Sequence, residues 1–183
     1  MSDLNLPTRN VVNVVSHGDH RMVKWFEDAT KAIQSQTGWG TYTHNGATQS
    51  IVAGVQEPLE NNKGILIEAQ KPADVVTFYD GTVITGRSGD GVAIGIELTF
   101  TPTSNGLYEF VMSIDLGGAI GELYSSQYPI TKGNGVPHKL AYTAIAYQLD
   151  TWEANGGTVK VVCDGPGDIT AVRYVIQRTH RAR

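Results

Sequence analysis

Leu98-Thr-Phe-Thr101, then Pro102-Thr-Ser-Asn-Gly106, then Leu107-Tyr-Glu-Phe-Val-Met-Ser-Ile114 is the stretch that decides the fold class. Leu98 and Phe100 alternate with threonines before the turn, and Tyr108, Phe110, Met112 and Ile114 hold one phase after it. A period of two places successive side chains on opposite faces of a strand, so both runs read as half-buried β-structure. With five turn-forming residues between them, they read as an antiparallel hairpin. The core is expected to be a sheet.

The same punctuation continues along the chain. Asn-Gly steps begin at 105, 134 and 155, Asp-Gly steps at 80, 90 and 164, and Gly-Gly steps at 117 and 156. Glycine supplies the positive φ that tight turns require. Between these signals the β-prone runs are 49–55, 64–69, 75–79, 82–85, 92–101, 107–116, 122–130, 138–149, 158–163 and 170–178. About ten short strands in meander or Greek-key spacing predict a two-sheet sandwich. In 138–149 the apolar phase changes from Leu140 and Tyr142 to Ile145, Tyr147 and Leu149. That change predicts a bulge or burial on both faces, and burial on both faces calls for a subunit interface.

Composition agrees. The 183 residues carry 21 glycines, 17% charged and 40% hydrophobic residues, which suits one β-rich domain with an N-terminal extension. A net charge of −4 without a basic stripe speaks against a nucleic-acid surface. Cys163 is the single cysteine, so no internal disulfide forms and the residue is expected in the core. No apolar run approaches the roughly 20 residues that span a bilayer. Without a basic segment followed by an apolar core, or an Asn-x-Ser/Thr site, the chain is expected to be made in a cytoplasm and to stay soluble.

The first quarter differs. Met22, Trp25, Phe26, Ala29 and Ile33 recur at helical spacing between Asp19, a candidate N-cap, and Gly38, a candidate stop, which predicts one amphipathic helix. Its stripe needs cover, from the sheet domain or from copies of itself. Upstream, Val11, Val12, Val14 and Val15 form a β-prone run, suited to a first strand or to pairing with a neighbour's sheet edge. From Trp39 to Gly46 the chain becomes polar and turn-like. The boundary is set there, giving an N-terminal attachment segment over 1–46 and a sheet domain over 47–183.

From Val92 to Thr179 the order of motifs resembles the tumour-necrosis-factor-like (TNF-like) jelly roll. Gly106, Tyr108 and Phe110 match the glycine and Tyr-x-Phe that open a central strand, and Asn155-Gly156-Gly157 matches the turn before a later one. The ending Tyr-Val-Ile-Gln-Arg-Thr-His departs from the usual Phe-x-Gly-x-x-Leu. With its N-terminal segment and Thr131-Lys-Gly-Asn-Gly-Val-Pro-His138, the chain looks like the jelly rolls of tailed-bacteriophage virions, in head fibres, capsid decoration and fibre tips. The resemblance implies a mainly β antiparallel jelly-roll sandwich preceded by one helix, assembled as a homotrimer. It further implies synthesis in the bacterial host's cytoplasm and attachment to other virion proteins through the N-terminal segment. Tyr108, Phe110, Tyr142 and Tyr147 are the candidate interface residues, and Met22, Trp25, Phe26 and Ile33 the candidate attachment helix.

Catalytic motifs are lacking: there is no Gly-x-Ser-x-Gly elbow and no phosphate-binding Gly-Lys-Ser/Thr loop. Asp115, Glu122, Asp150 and Glu153 lie near predicted strand ends, where paired carboxylates serve glycosidases, or else keep loops solvated. His17, Asp19 and His20 offer a metal two imidazoles and a carboxylate without a third segment to complete the set, and Asp164 and Asp168 lack calcium-loop spacing. No enzyme activity, cofactor or metal is expected. Trp39, Tyr42, Tyr124, Tyr128 and Trp152 fall in or beside predicted loops. Of these, Tyr124, Tyr128 and Trp152 are the candidate ligand loop, for stacking on a host surface glycan, with packing as the competing role. Arg178, His180, Arg181 and Arg183 read as a solvated terminus or a contact for an acidic partner.

Overall fold

In the computed structural model the described residues are 20–34, 37–118, 120–131 and 133–181. Among them α1 (His20–Gln34) precedes β1 (Gly38–Thr43), β2 (Gln49–Ile51), β3 (Glu57–Pro58), β4 (Ile65–Ile67), β5 (Gly91–Pro102) and β6 (Tyr108–Asp115). There follow β7 (Glu122–Ile130), β8 (His138–Tyr147), α2 (Asp150–Asn155), β9 (Thr158–Cys163) and β10 (Gly167–His180). One sheet has the order β4-β1-β10-β5-β8, with β2 also on β10, and the other β3-β9-β6-β7. All pairings are antiparallel. The mainly β sandwich with one N-terminal helix is as expected.

The deciding stretch is not a hairpin. β5 pairs with β8 and β10, while β6 pairs with β7 and β9, so the turn after Pro102 carries the chain from one sheet to the other. Period-two alternation reveals which face a side chain takes, not which strand lies beside it. The two runs meet face to face: the Phe100 and Phe110 rings lie 4.9 Å apart across the interior. At the crossing the backbone bonds elsewhere, Thr103 N to Pro166 O at 3.1 Å and Gly135 N to Pro102 O at 2.8 Å.

The expected phase change in β8 is absent. Leu140, Tyr142, Ala144 and Ala146 hold one inward phase, and the register with β5 runs unbroken from Phe100–His138 to Gly91–Tyr147. Two alanines carry the inner face where larger residues were sought, which leaves Ile145 and Tyr147 outside. A true irregularity lies in β10, where a shift between Thr170 and Arg173 coincides with Ala171 at φ 54°.

The sandwich begins before the expected boundary at Gly46. All six residues of β1 pair with β10, and Tyr42 is wholly buried. A Cβ on Gly38 would come within 2.4 Å of the Gln70 carbonyl, so this glycine serves close approach, not a turn. The runs at 75–79 and 82–85 are not strands. They form a strap joined by a single bridge between Tyr79 and Ile84.

β7 and β8 end their sheets on the same side. Two tyrosines link them: the Tyr128 hydroxyl donates to the Ala141 carbonyl at 2.8 Å, and that of Tyr142 to the Tyr124 carbonyl. Phe110→Ala, which deletes a ring from the middle of the interior, is expected to cost about 3–5 kcal/mol. Chemical denaturation of the purified chain measures it.

Candidate functional site

The predicted residues fall into three settings. Phe110 and Tyr142 fill the interior between the sheets and offer no surface to a partner, and Tyr108 is half-buried against the same core. Tyr147 points outward and is 59% exposed. Trp152 lies on α2, 1% exposed, and its indole donates to the Ile84 carbonyl at 2.9 Å. It is a core residue and cannot stack on a sugar. Tyr124 remains exposed, with φ 55°, and Tyr128 is half-buried with its hydroxyl engaged. On α1, Trp25 is 64% exposed, Met22 is exposed and Phe26 half-buried, with the two rings edge-on at 5.1 Å. Ile33 lies within α1, its side chain outside the described set, as are Val11–Val15, His17 and Asp19.

The outward face of the larger sheet is the first candidate site. One row across the register runs Trp39, Gln177, Ala93, Ile145, and the next runs Ile67, Thr41, Val175, Gly95, Thr143. Neither row holds a charged side chain. Ile145 is 75% exposed, and Tyr147 continues the apolar surface opposite Gly91. The rows end at an ion pair, Arg173 to Glu97 at 2.9 Å.

The second lies at the end of the sandwich where β1 begins. Arg178, read as part of a solvated terminus, is 2% exposed. It faces inward, in register with Gly38 and Val92. Its guanidinium donates to Asp74 at 2.8 and 3.0 Å and to Asp90 at 3.2 Å, and Arg181 approaches Asp74 at 3.4 Å. Burial alone lowers the Arg178 pKa, but the bonds to Asp74 and the charges of both aspartates override it and hold the guanidinium above its ordinary value. Hydrogen bonding from Arg178 holds the Asp74 carboxyl below its usual range.

Asp74 belongs to the strap, which is tied down further along. Lys71 Nζ donates to the Val75 carbonyl at 2.7 Å, and Thr77 donates to Glu68 at 2.8 Å. Glu68 also accepts from Tyr42, whose hydroxyl is pushed up to about 12 by burial and by Glu68. Between strap and sandwich lies a cavity of about 330 Å³. Sequence reasoning missed it because its parts come from 74–92, 148 and 178, and no local pattern joins them.

The carboxylates weighed for catalysis are engaged. Asp115 meets Lys160 at 2.6 Å and is held below its ordinary range by it. Glu122 accepts from Gln56, while Asp150 and Glu153 accept from the Ser88 hydroxyl and amide at 2.6 and 2.9 Å. Asp164 and Asp168 turn to different partners, the Glu109 amide and the Ser50 hydroxyl. Among the described residues no group of three or more His, Cys, Asp or Glu is placed to hold a metal, and no helix is long and apolar enough to cross a membrane. Cys163 is buried, and burial pushes its thiol pKa up.

No family model and no curated protein matches the chain. Solved structures do: Eiger TNF from S. frugiperda superposes with a TM-score of 0.50 at 10% identity, over 81% of this chain and 96% of that one. The fold is a TNF-like jelly roll. Lower-scoring matches are the PRD1 vertex protein P5 (TM-score 0.45, 9% identity, 80% and 98% of the two chains) and an infectious bursal disease virus Gx strain structure (0.42, 12%, 80% and 33%). Within this TNF-like jelly roll, the Arg178 cluster closes one end of the sandwich.

Arg178→Met takes the guanidinium from both Asp74 and the buried Asp90 and is expected to cost about 3–5 kcal/mol. Because the Asp74 pKa is lowered on folding, its contribution is present above the unfolded carboxylate pKa and is lost as pH falls through the lower native value. Asp74→Asn is expected to flatten that acid limb of a stability-versus-pH curve and to lower stability at neutral pH.

Proposed function

We propose that this chain is a structural protein of a tailed-bacteriophage virion, a trimeric head fibre or capsid decoration protein attached through its N-terminal region. The observation that carries the assembly is the outward face of the larger sheet. Its two central rows are uncharged and apolar in large part, and Ile145 and Tyr147 gain nothing for the folding of one chain. Solvent-facing sheet surfaces ordinarily alternate to polar residues, and a contiguous apolar patch marks an interaction surface.

Closed rotational symmetry lets identical chains cover the same face in one another without leaving an open end. Of the interface residues expected from sequence, Tyr147 has the exposure for this role, and Ile145 and Trp39 join it. The virion assignment draws on the resemblance of the N-terminal segment and Thr131-Lys-Gly-Asn-Gly-Val-Pro-His138 to the jelly rolls of phage virions. Attachment falls to α1, where Trp25 and Met22 stand open to a partner. Three such helices on one particle would bind with avidity, since the first contact raises the effective concentration of the others.

Native mass tests the assembly. The wild-type chain is expected near three times 19.7 kDa. Ile145→Asp, which places a charge in the face but not in the core, is expected to give folded chains of single mass. A wild-type monomer, or an unchanged trimer in the variant, sinks the reading. Trp25→Glu is expected to leave mass and melting temperature unchanged while abolishing incorporation into particles, measured by pull-down on purified virions.

A further inference from the structure

We propose that the cavity beside Arg178 binds one neutral polyhydroxylated ring, a hexose. The inference goes beyond assembly and does not rest on it, because every wall of the cavity comes from one chain. At about 330 Å³ the cavity falls in the lower part of the range for small-molecule sites, about 300–1,000 Å³. Room for a single sugar ring is what that volume offers.

Charge selects a neutral ligand. The lining holds two carboxylates, Asp74 and Asp90, both engaged by Arg178, with Arg181 also on Asp74 at 3.4 Å, and a second guanidinium on the exposed Arg87. Within the cavity an anion would have to compete with the aspartates for Arg178, and a cation with Arg178 for the aspartates, while the exposed Arg87 gives an anion only a solvent-screened contact. Either exchange sacrifices a buried pair, whose disruption leaves an uncompensated charge. Hydroxyl groups make no such demand. They donate to carboxylate lone pairs and accept from amide hydrogens alongside the existing bonds.

The polar groups are already held in place. Gln148 is buried, accepts from the Arg87 amide at 3.3 Å and donates to the Thr85 carbonyl at 3.3 Å. A primary amide has two donors and two acceptor sites, so these contacts fix the carboxamide without exhausting it. A Cβ on Gly86 would come within 2.2 Å of that carboxamide, and glycine there lets the strap close over it. The ion cluster is equally constrained, since Asp74 takes two bonds from one guanidinium. Groups whose orientation is set before binding lose little freedom when a ligand arrives.

The lining also has apolar side chains, Phe78 and Val92 among them. A pyranose presents just this division, C–H groups on its faces and hydroxyls around its edge. Val76, 90% exposed, also lines the cavity, so an exposed side chain stands at its mouth. The strap that bears it is anchored on both sides of that residue by Asp74 and Thr77.

Titration of the full chain with free neutral hexoses, a uronic acid and an amino sugar, followed by amide chemical shifts, tests the proposal. At least one neutral hexose is expected to shift the Val76, Arg87 and Gln148 amides. Val76→Trp, which plugs the mouth from outside the core, should weaken that binding about tenfold or more with the melting temperature unchanged. An oligosaccharide ending in the active hexose that binds more tightly than the free sugar identifies a glycan terminus as the source; equal affinity identifies the free sugar. Shifts from charged sugars alone, none from any neutral hexose, or binding indifferent to Val76→Trp overturns it.

Discussion

A guanidinium buried in the end of a β-sandwich must have its counter-charges brought to it. Arg178 occupies an inward position of β10, where the low dielectric makes an unpaired charge costly. Asp90 answers from the residue just before β5, and Asp74 from a strap that has no place in either sheet. That one requirement holds the strap against the sandwich mouth. It also fixes where the chain enters β1, since Gly38 opposes Arg178 directly and must pass close to Gln70. The cavity is the space left between the strap and the strands it closes over.

The two broad surfaces of the larger sheet follow from alternation carried out consistently. Inward positions of β5, β8 and β10 supply Ile94, Ile96, Tyr142, Ala144, Tyr174 and Ile176 to the core. Outward positions of the same strands are free of that packing, yet between the Arg173–Glu97 ion pair and Tyr147 they carry Ala, Gly, Val, Ile and Thr with Gln177 as the one amide. Hydrophobic residues in the interior need no explanation beyond burial. The same residue types lined up outside do.

Much of this was legible in the sequence, and what was not has physical causes. Strand existence and face were readable in Leu98, Phe100, Phe110 and Met112, because a period of two is a local property. Their distribution between opposite sheets was not, because pairing is set by chain segments far apart in sequence. β1 was hidden by Gly38 and Gly40, which look like turn residues and instead permit close packing beside Gln70 and Tyr42. Trp152 looked like a loop aromatic because the six-residue α2 that carries it ends in Asn155-Gly156-Gly157. Arg178 sits five residues from the chain end, where charged side chains are ordinarily solvated. The distant Asp74 and Asp90 give it a reason to be buried.

The tyrosine links between β7 and β8 bear on how such a chain behaves when many copies are crowded together. The last strand of a sheet is a template for another strand, and uncontrolled pairing there yields fibres instead of closed assemblies. Here the carbonyls of Tyr124 and Ala141, on the two terminal strands, are occupied by the chain's own hydroxyls. A neighbour seeking to extend either sheet at these points would first have to break a bond within the sandwich. Growth by strand addition is thereby discouraged on this side of the molecule, and association is left to side chains on the sheet faces, which can be matched to one partner and one geometry.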